Sequence, residues 1–254
     1  MKLYVNELFK LFKTKKLYVF LLILIVNVAL AIYYYGSGGS IISTANGQSL
    51  PLAFINGVAQ FMSVFIPIYV AEIFTEDYKA GTLKLSLLRP ISRMQSFHSK
   101  VAALLTFNVV LVFAFVLFTY ASGTLVFGWG DSTVYNGTAY LGIDGVLLTV
   151  ISYALLLLPY MAYGMLASFI AVVSDNMTAT IGITIGISVA GQYLNAIPSI
   201  KIYSLVNQLY FFHEYFVMNF NLGEAVLSSI TNVAYFTVFY LLTARCIKKK
   251  DILC

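Results

Sequence analysis

From Leu17 to Ala71 the chain carries no Asp, Glu, Lys or Arg, and the same holds for Val101–Gly130, Gly145–Ser174 and Asn176–Ile200. Each stretch is long enough to cross a bilayer core of about 30 Å at a helical rise of roughly 1.5 Å per residue. A water-soluble fold of 254 residues has nowhere to hide this much apolar surface. Hydrophobic residues make up 60% of the chain and charged ones 10%, against about 45–50% and about 25% in soluble domains. The expected fold is an all-α membrane protein. Residues 1–16 form an interfacial amphipathic helix, and 17–254 a transmembrane domain with spans at about 17–35, 51–73, 101–127, 145–173, 177–197 and 225–247. The apolar run from Leu17 to Tyr35 is longer than the usual signal-peptide core of about 7–15 residues. No small-x-small site precedes Gly36, so the run is read as an uncleaved helix.

The net charge of +5 does not point to nucleic acid, because the basic residues flank apolar spans, where they face headgroups and fix orientation. Lys2, Lys10, Lys13, Lys15 and Lys16 precede the first span. Lys79, Lys84, Arg89, Arg93 and Lys100 lie between spans two and three, and Arg245, Lys248, Lys249 and Lys250 follow span six. Fourteen of the 15 basic residues thus share one side, and Lys201 stands on the other. The positive-inside rule puts that side in the cytoplasm, giving a multi-pass plasma-membrane protein with both termini cytoplasmic. Pro67 and Pro159 fall within spans two and four. Each removes a backbone hydrogen bond that neighbouring helices are expected to make good. Ser174-Asp175-Asn176 is a tight turn that folds spans four and five into an antiparallel hairpin.

At about 100° per residue, Tyr4, Val5, Leu8, Phe9, Leu11 and Phe12 share one half of the N-terminal helix. Lys2, Asn6, Glu7, Lys10 and Lys13 share the other. Such a helix lies in the interface with its lysines near anionic headgroups. Its polar face either anchors the first span or offers a docking surface to a cytoplasmic partner.

The segment Glu72–Lys100 mixes charges of both signs with leucines. Gly81 permits a chain reversal. Thr82 to Leu88 suffices for two helical turns with Leu83, Leu87 and Leu88 on one side, and Pro90 then biases Arg89 out of the helical region. Ser92 with Gln95 has the spacing of a capping box, which would start the helix that runs into span three. The segment is either a solvated loop that enforces topology or a rigid projection gripped by another protein.

The run Glu76…Gly81-Thr82…Leu87-Leu88…Pro90…Ser92-Arg93…Lys100 resembles the hallmark of type-2 ABC transporter permeases: an acidic residue, Gly-Thr, a leucine pair, Pro, Ser-Arg and a lysine leading into the third span. The six-span layout and the leading amphipathic helix extend the resemblance along the chain. The aromatic stretch from Ala196 to Glu224 is similar to the re-entrant region of those permeases. The resemblance implies a non-catalytic permease subunit of an ATP-driven exporter, with a cytoplasmic coupling helix between spans two and three. A separate ABC ATPase would bind ATP and Mg and grip the segment Glu76–Arg93 together with the N-terminal helix. A second permease subunit, identical or related, would complete the pathway. By the same analogy the cargo is hydrophobic or amphipathic, such as a peptide toxin, an antimicrobial peptide or a drug. The chain has no G-x-x-x-x-G-K phosphate loop of its own.

Other features carry weaker signals. Gly182 and Gly186 form G-x-x-x-G in span five, and this face is expected to pack within the chain on span four or against a second subunit. Asn27, Asn56, Gln60, Asn108, Asn195 and Asn232 are read as interhelical hydrogen-bonding residues, some of them possible pathway linings. His98 and His213 fall on opposite sides of the bilayer and are read as surface or interfacial residues, which leaves no metal site or intramembrane catalytic site. The aromatic cluster of Tyr203, Tyr210, Phe211, Phe212, Tyr215 and Phe216 suits an interfacial belt or an outer gate. Cys246 and Cys254 are read as inert thiols. The competing reading is an ATP-independent secondary transporter or channel component. It is disfavoured because no span carries an ionisable residue near its centre.

Overall fold

The computed structural model of the protein describes residues 2–36, 46–79, 92–195, 197–217 and 220–249. Helix α1 (Lys2–Lys13) leads into α2 (Lys15–Gly36). A short turn of helix, α3 (Leu50–Ala53), precedes α4 (Ile55–Lys79), and α5 runs from Arg93 to Phe127. A hairpin of β1 (Ser132–Tyr135) and β2 (Thr138–Leu141) follows, then α6 (Ile143–Ser174) and α7 (Met177–Leu194). Three short helices, α8 (Pro198–Lys201), α9 (Leu205–Phe211) and α10 (Glu214–Val217), lead to α11 (Leu222–Lys249). Six of these helices, α2, α4, α5, α6, α7 and α11, are long and apolar enough to cross a membrane. The chain is a multi-pass helical membrane protein.

The chain is all-α in class as expected, with one addition, the antiparallel β1–β2 hairpin. Its turn is Asn136-Gly137, and both residues have positive φ (45° and 83°), as the two-residue turns that match strand twist require. The sequence signal was present, since Asn-Gly between short apolar-polar alternations is the strongest short-range hairpin cue.

Helix α6 lies at the centre and packs against α4, α5, α7 and α11. It buries Tyr153, Leu156, Tyr160, Tyr163, Met165 and Leu166. The packing resolves the problem posed by Pro67. Without an N–H at position 67, the carbonyl of Ser63 lacks its helical donor; the Tyr163 hydroxyl donates to it from α6 at 2.9 Å. Helix α4 therefore continues unbroken through the proline. Close approach of helices depends on Gly164 and Gly191. A Cβ on Gly164 would stand 2.5 Å from Leu104 Cδ2, and one on Gly191 2.3 Å from Val206 Cγ2. Gly182 and Gly186 make no such approach: a Cβ at either meets nothing within 4 Å. The expectation that their face packs within the chain is overturned, because α7 turns Thr180, Thr184, Ser188 and Gly191 inward instead.

The turn between α6 and α7 forms as expected. Asp175 sits in the left-handed region, and the Asn176 side chain caps α7 by accepting from the N–H groups of Thr178 and Ala179.

Candidate functional site

Apart from Lys201, the basic residues among those described gather at one end of the bundle. There α5 begins at a complete capping box. Ser92 Oγ accepts from Gln95 N at 3.2 Å, and Gln95 Oε1 accepts from Ser92 N at 3.2 Å. Arg93 extends toward the far end of the chain and donates to the carbonyl of Ile247 at 3.4 Å. Lys100, two turns further on, is buried. Its ammonium donates to the Ile73 carbonyl on α4 and lies 5.1 Å from the centre of the Phe74 ring. Lys16 pairs with the buried Glu72 at 2.7 Å. Gly81, Thr82, Leu87, Leu88 and Pro90 lie outside the described residues, as do the side chains of Glu76 and Lys2. The described residues thus bring together Ser92, Arg93, Lys100 and helix α1.

Helix α1 has three faces rather than two. Leu11 and Glu7 are buried against the bundle with Tyr4 and Leu8 partly covered beside them, and Tyr4 Oη lies 2.7 Å from Thr106 Oγ1 of α5. Val5, Phe9 and Phe12 are exposed on a second face. Asn6, Lys10 and Lys13 are exposed on the third, as the wheel placed them. Glu7 departs from that wheel: it turns inward and takes Lys10 as an ion-pair partner at 3.0 Å.

At the opposite end, residues 46–49 and 128–134 are joined by hydrogen bonds between neutral groups. Gly47 N donates to Gly128 O (2.8 Å) and Gln48 N to Trp129 O (3.1 Å). Asn46 Oδ1 accepts from Ser49 N and Oγ, Ser49 Oγ accepts from Val134 N, and Gln48 Nε2 donates to Gly130 O. His213 is not at the surface as expected but wholly buried. Its Nε2 lies 2.8 Å from Tyr135 Oη, and its Nδ1 has no partner. Burial pulls its pKa down to about 4. The neighbouring Glu214 is pushed upward by burial, against the pull of Lys201. Tyr203 stays exposed within the aromatic cluster, whereas Tyr210 and Phe212 are core residues.

Between the two ends, α9 wedges among α4, α6, α7 and α11. Tyr210 donates from it to Gln60 Oε1 at 2.7 Å, and Gln192 reaches the Tyr210 hydroxyl at 3.1 Å. Gln208 Oε1 accepts from Ser228 at 2.5 Å and from Asn232 at 3.4 Å. Gln60 and Asn232 thus take the interhelical role expected of them. Asn108 finds only the sulfur of Met161, at 3.5 Å, and Asn56 is exposed. Among the described residues, no group of three or more His, Cys, Asp or Glu could hold a metal ion.

The chain is similar to the uncharacterized protein YhcI of Bacillus subtilis (strain 168), with 33% identity over 73 residues. That match spans 29% of this chain and 23% of the relative. A family model described as "Protein of unknown function (DUF2705)" matches residues 19–253, nearly the whole of both the described bundle and the chain, and the protein belongs to that family.

Proposed function

We propose that this protein is the permease subunit of an ATP-driven ABC exporter. The observation that carries the reading is helix α5, which begins where the Glu76–Arg93 segment ends. Its 35 residues extend about 52 Å at roughly 1.5 Å per residue, well beyond a bilayer core of about 30 Å. A helix of that length gives a cytoplasmic ATPase a stiff lever, with the segment resembling the coupling region of type-2 permeases at its tip. Lys100 ties the lever to the end of α4, and α1 braces its side. Movement of the tip would therefore shift α4 and α5 together. The basic residues at this end favour a cytoplasmic location in the plasma membrane.

The partners are a pair of ABC ATPase subunits, which hold ATP and Mg, and a second permease subunit. The open Gly182–Gly186 face of α7 is available to such a subunit. The substrate class, hydrophobic or amphipathic, follows the same family analogy. A secondary transporter remains the rival.

Co-purification with an ATPase encoded alongside, and transport in proteoliposomes only with ATP, are the expected results. Arg93→Ala and Glu76→Ala should leave the chain in the membrane while ATP hydrolysis continues without transport. Cargo movement by the chain alone, driven by an ion gradient, would overturn the reading.

A further inference from the structure

A cavity of about 270 Å³ lies between α1 and the end of α4, lined among others by Glu7, Phe9, Lys13, Tyr69 and Glu72. It stands at the level where the first span begins, at Lys15, and the second ends, at Thr75, which is headgroup depth. Lys10 and Lys13 also line it, but the buried polar groups among the lining, Glu7, Glu72 and Tyr69, all carry oxygens that can accept. Glu7 and Glu72 are each 8% exposed. Each is held by one lysine through Oε1 alone, and those lysines, Lys10 and Lys16, keep their own side chains 49% and 44% exposed.

Tyr69 supplies the independent observation. It is 6% exposed, its ring stacks on Phe107 at 4.1 Å, and its hydroxyl has no hydrogen-bond partner although both carboxylates act on it electrostatically. A buried hydroxyl left unpaired at a polar cavity calls for a partner, which a ligand atom in the cavity can supply.

We propose that this cavity is a binding site for the primary ammonium of an aminophospholipid headgroup. An –NH₃⁺ group carries three donors and no acceptor, which matches two carboxylates and a tyrosine hydroxyl. A trimethylated ammonium offers no N–H, and a glycerol headgroup lacks the cation altogether. Lys13 stands at the same cavity for the phosphate, 5.3 Å from the Phe9 ring centre. Phe9 is 62% exposed and marks the side where acyl chains leave. The site does not depend on the export reading, since a secondary transporter could carry it equally.

The test is lipid retention by the full-length protein. The chain is reconstituted in nanodiscs of equal parts phosphatidylethanolamine, phosphatidylcholine and phosphatidylglycerol, extracted in mild detergent, and its bound lipids counted by native mass spectrometry. Phosphatidylethanolamine is expected to be retained over phosphatidylcholine. Tyr69→Phe should reduce that preference about three- to tenfold, the worth of one hydrogen bond. This variant keeps the ring stacked on Phe107 and breaks no existing bond, so its melting temperature should match the wild type. Glu7→Gln with Glu72→Gln should abolish the preference. Equal retention of the two lipids by the wild type, or an undiminished preference in Tyr69→Phe, would overturn the proposal. So would displacement of the lipid by millimolar ethanolamine, which would make a free amine the ligand.

Discussion

The two ends of the bundle solve the same problem, holding helices in register at a membrane surface, with different chemistry. At the basic end several links are charged: Lys16 to Glu72, Lys100 to a carbonyl of α4, and Arg93 to a carbonyl of α11. Their long stems bury apolar length while most of the heads reach outward, so these links tolerate movement. At the opposite end the links are short and neutral. Asn46, Gln48 and Ser49 bond to the backbone of 128–134, and glycines allow main chain to lie directly on main chain. Such contacts have little room to slide. The comparison teaches that the fold has one adjustable end and one fixed end, the distribution expected if force enters at the basic side.

The largest expected effect falls at the fixed end. A Cβ on Gly47 would stand 2.6 Å from Gly128 O and 2.7 Å from two further backbone atoms of 123–124. Gly47→Ala should therefore cost about 1–3 kcal/mol through overpacking, measured as a fall in melting temperature. Gly182→Ala, with nothing within 4 Å, should leave the isolated chain unchanged. A neutral Gly47→Ala would refute the rigidity assigned to this end.

The next effect is pH-dependent and also belongs to the fixed end. His213 has its pKa drawn from 6.5 to about 4 by burial, with Tyr135 Oη against its Nε2. Between those values the unfolded chain binds the extra proton and the folded one does not, so stability rises with pH. Acidification through the window from 6.5 to 4 should progressively weaken this end, and the loss should level off below pH 4. Thermal melts of the wild type and of His213→Gln at pH 7.5 and 4.5 check this. The variant should lose that part of the slope, whereas an identical pH dependence would remove His213 from the account.

The smallest effect lies at the adjustable end. Ser92→Ala removes one half of the capping box and should cost about 1 kcal/mol. It should appear as faster hydrogen exchange over 93–96 without a change at 132–141. Coupled loss of protection at both ends would mean that they do not act separately.

Much of the fold was legible in the sequence because it depends on local properties. Apolar length fixed the six spans, Ser92 with Gln95 announced the start of α5, and Ser174-Asp175-Asn176 the turn before α7. The hairpin has an equally local signal, Asn136-Gly137 between two short alternating runs. The coupling segment from Gly81 to Pro90 rests on sequence resemblance, as it lies outside the described residues.

What only tertiary structure decided is which side of each helix meets protein. In a soluble helix the apolar face is the buried face, so periodicity reveals it. In lipid the outward face is as apolar as the inward one, and hydropathy no longer tells them apart. Hence the sequence showed G-x-x-x-G at Gly182 and Gly186, while the close contacts fell at Gly164 and Gly191. Likewise the helical wheel placed Glu7 with the solvated lysines, yet packing of α1 against α5 turned it inward, to the cavity it shares with Glu72 and Tyr69. The apolar content of the chain determined that it enters a membrane and how often it crosses. The contacts between helices, which no single segment encodes, decided where its polar groups converge.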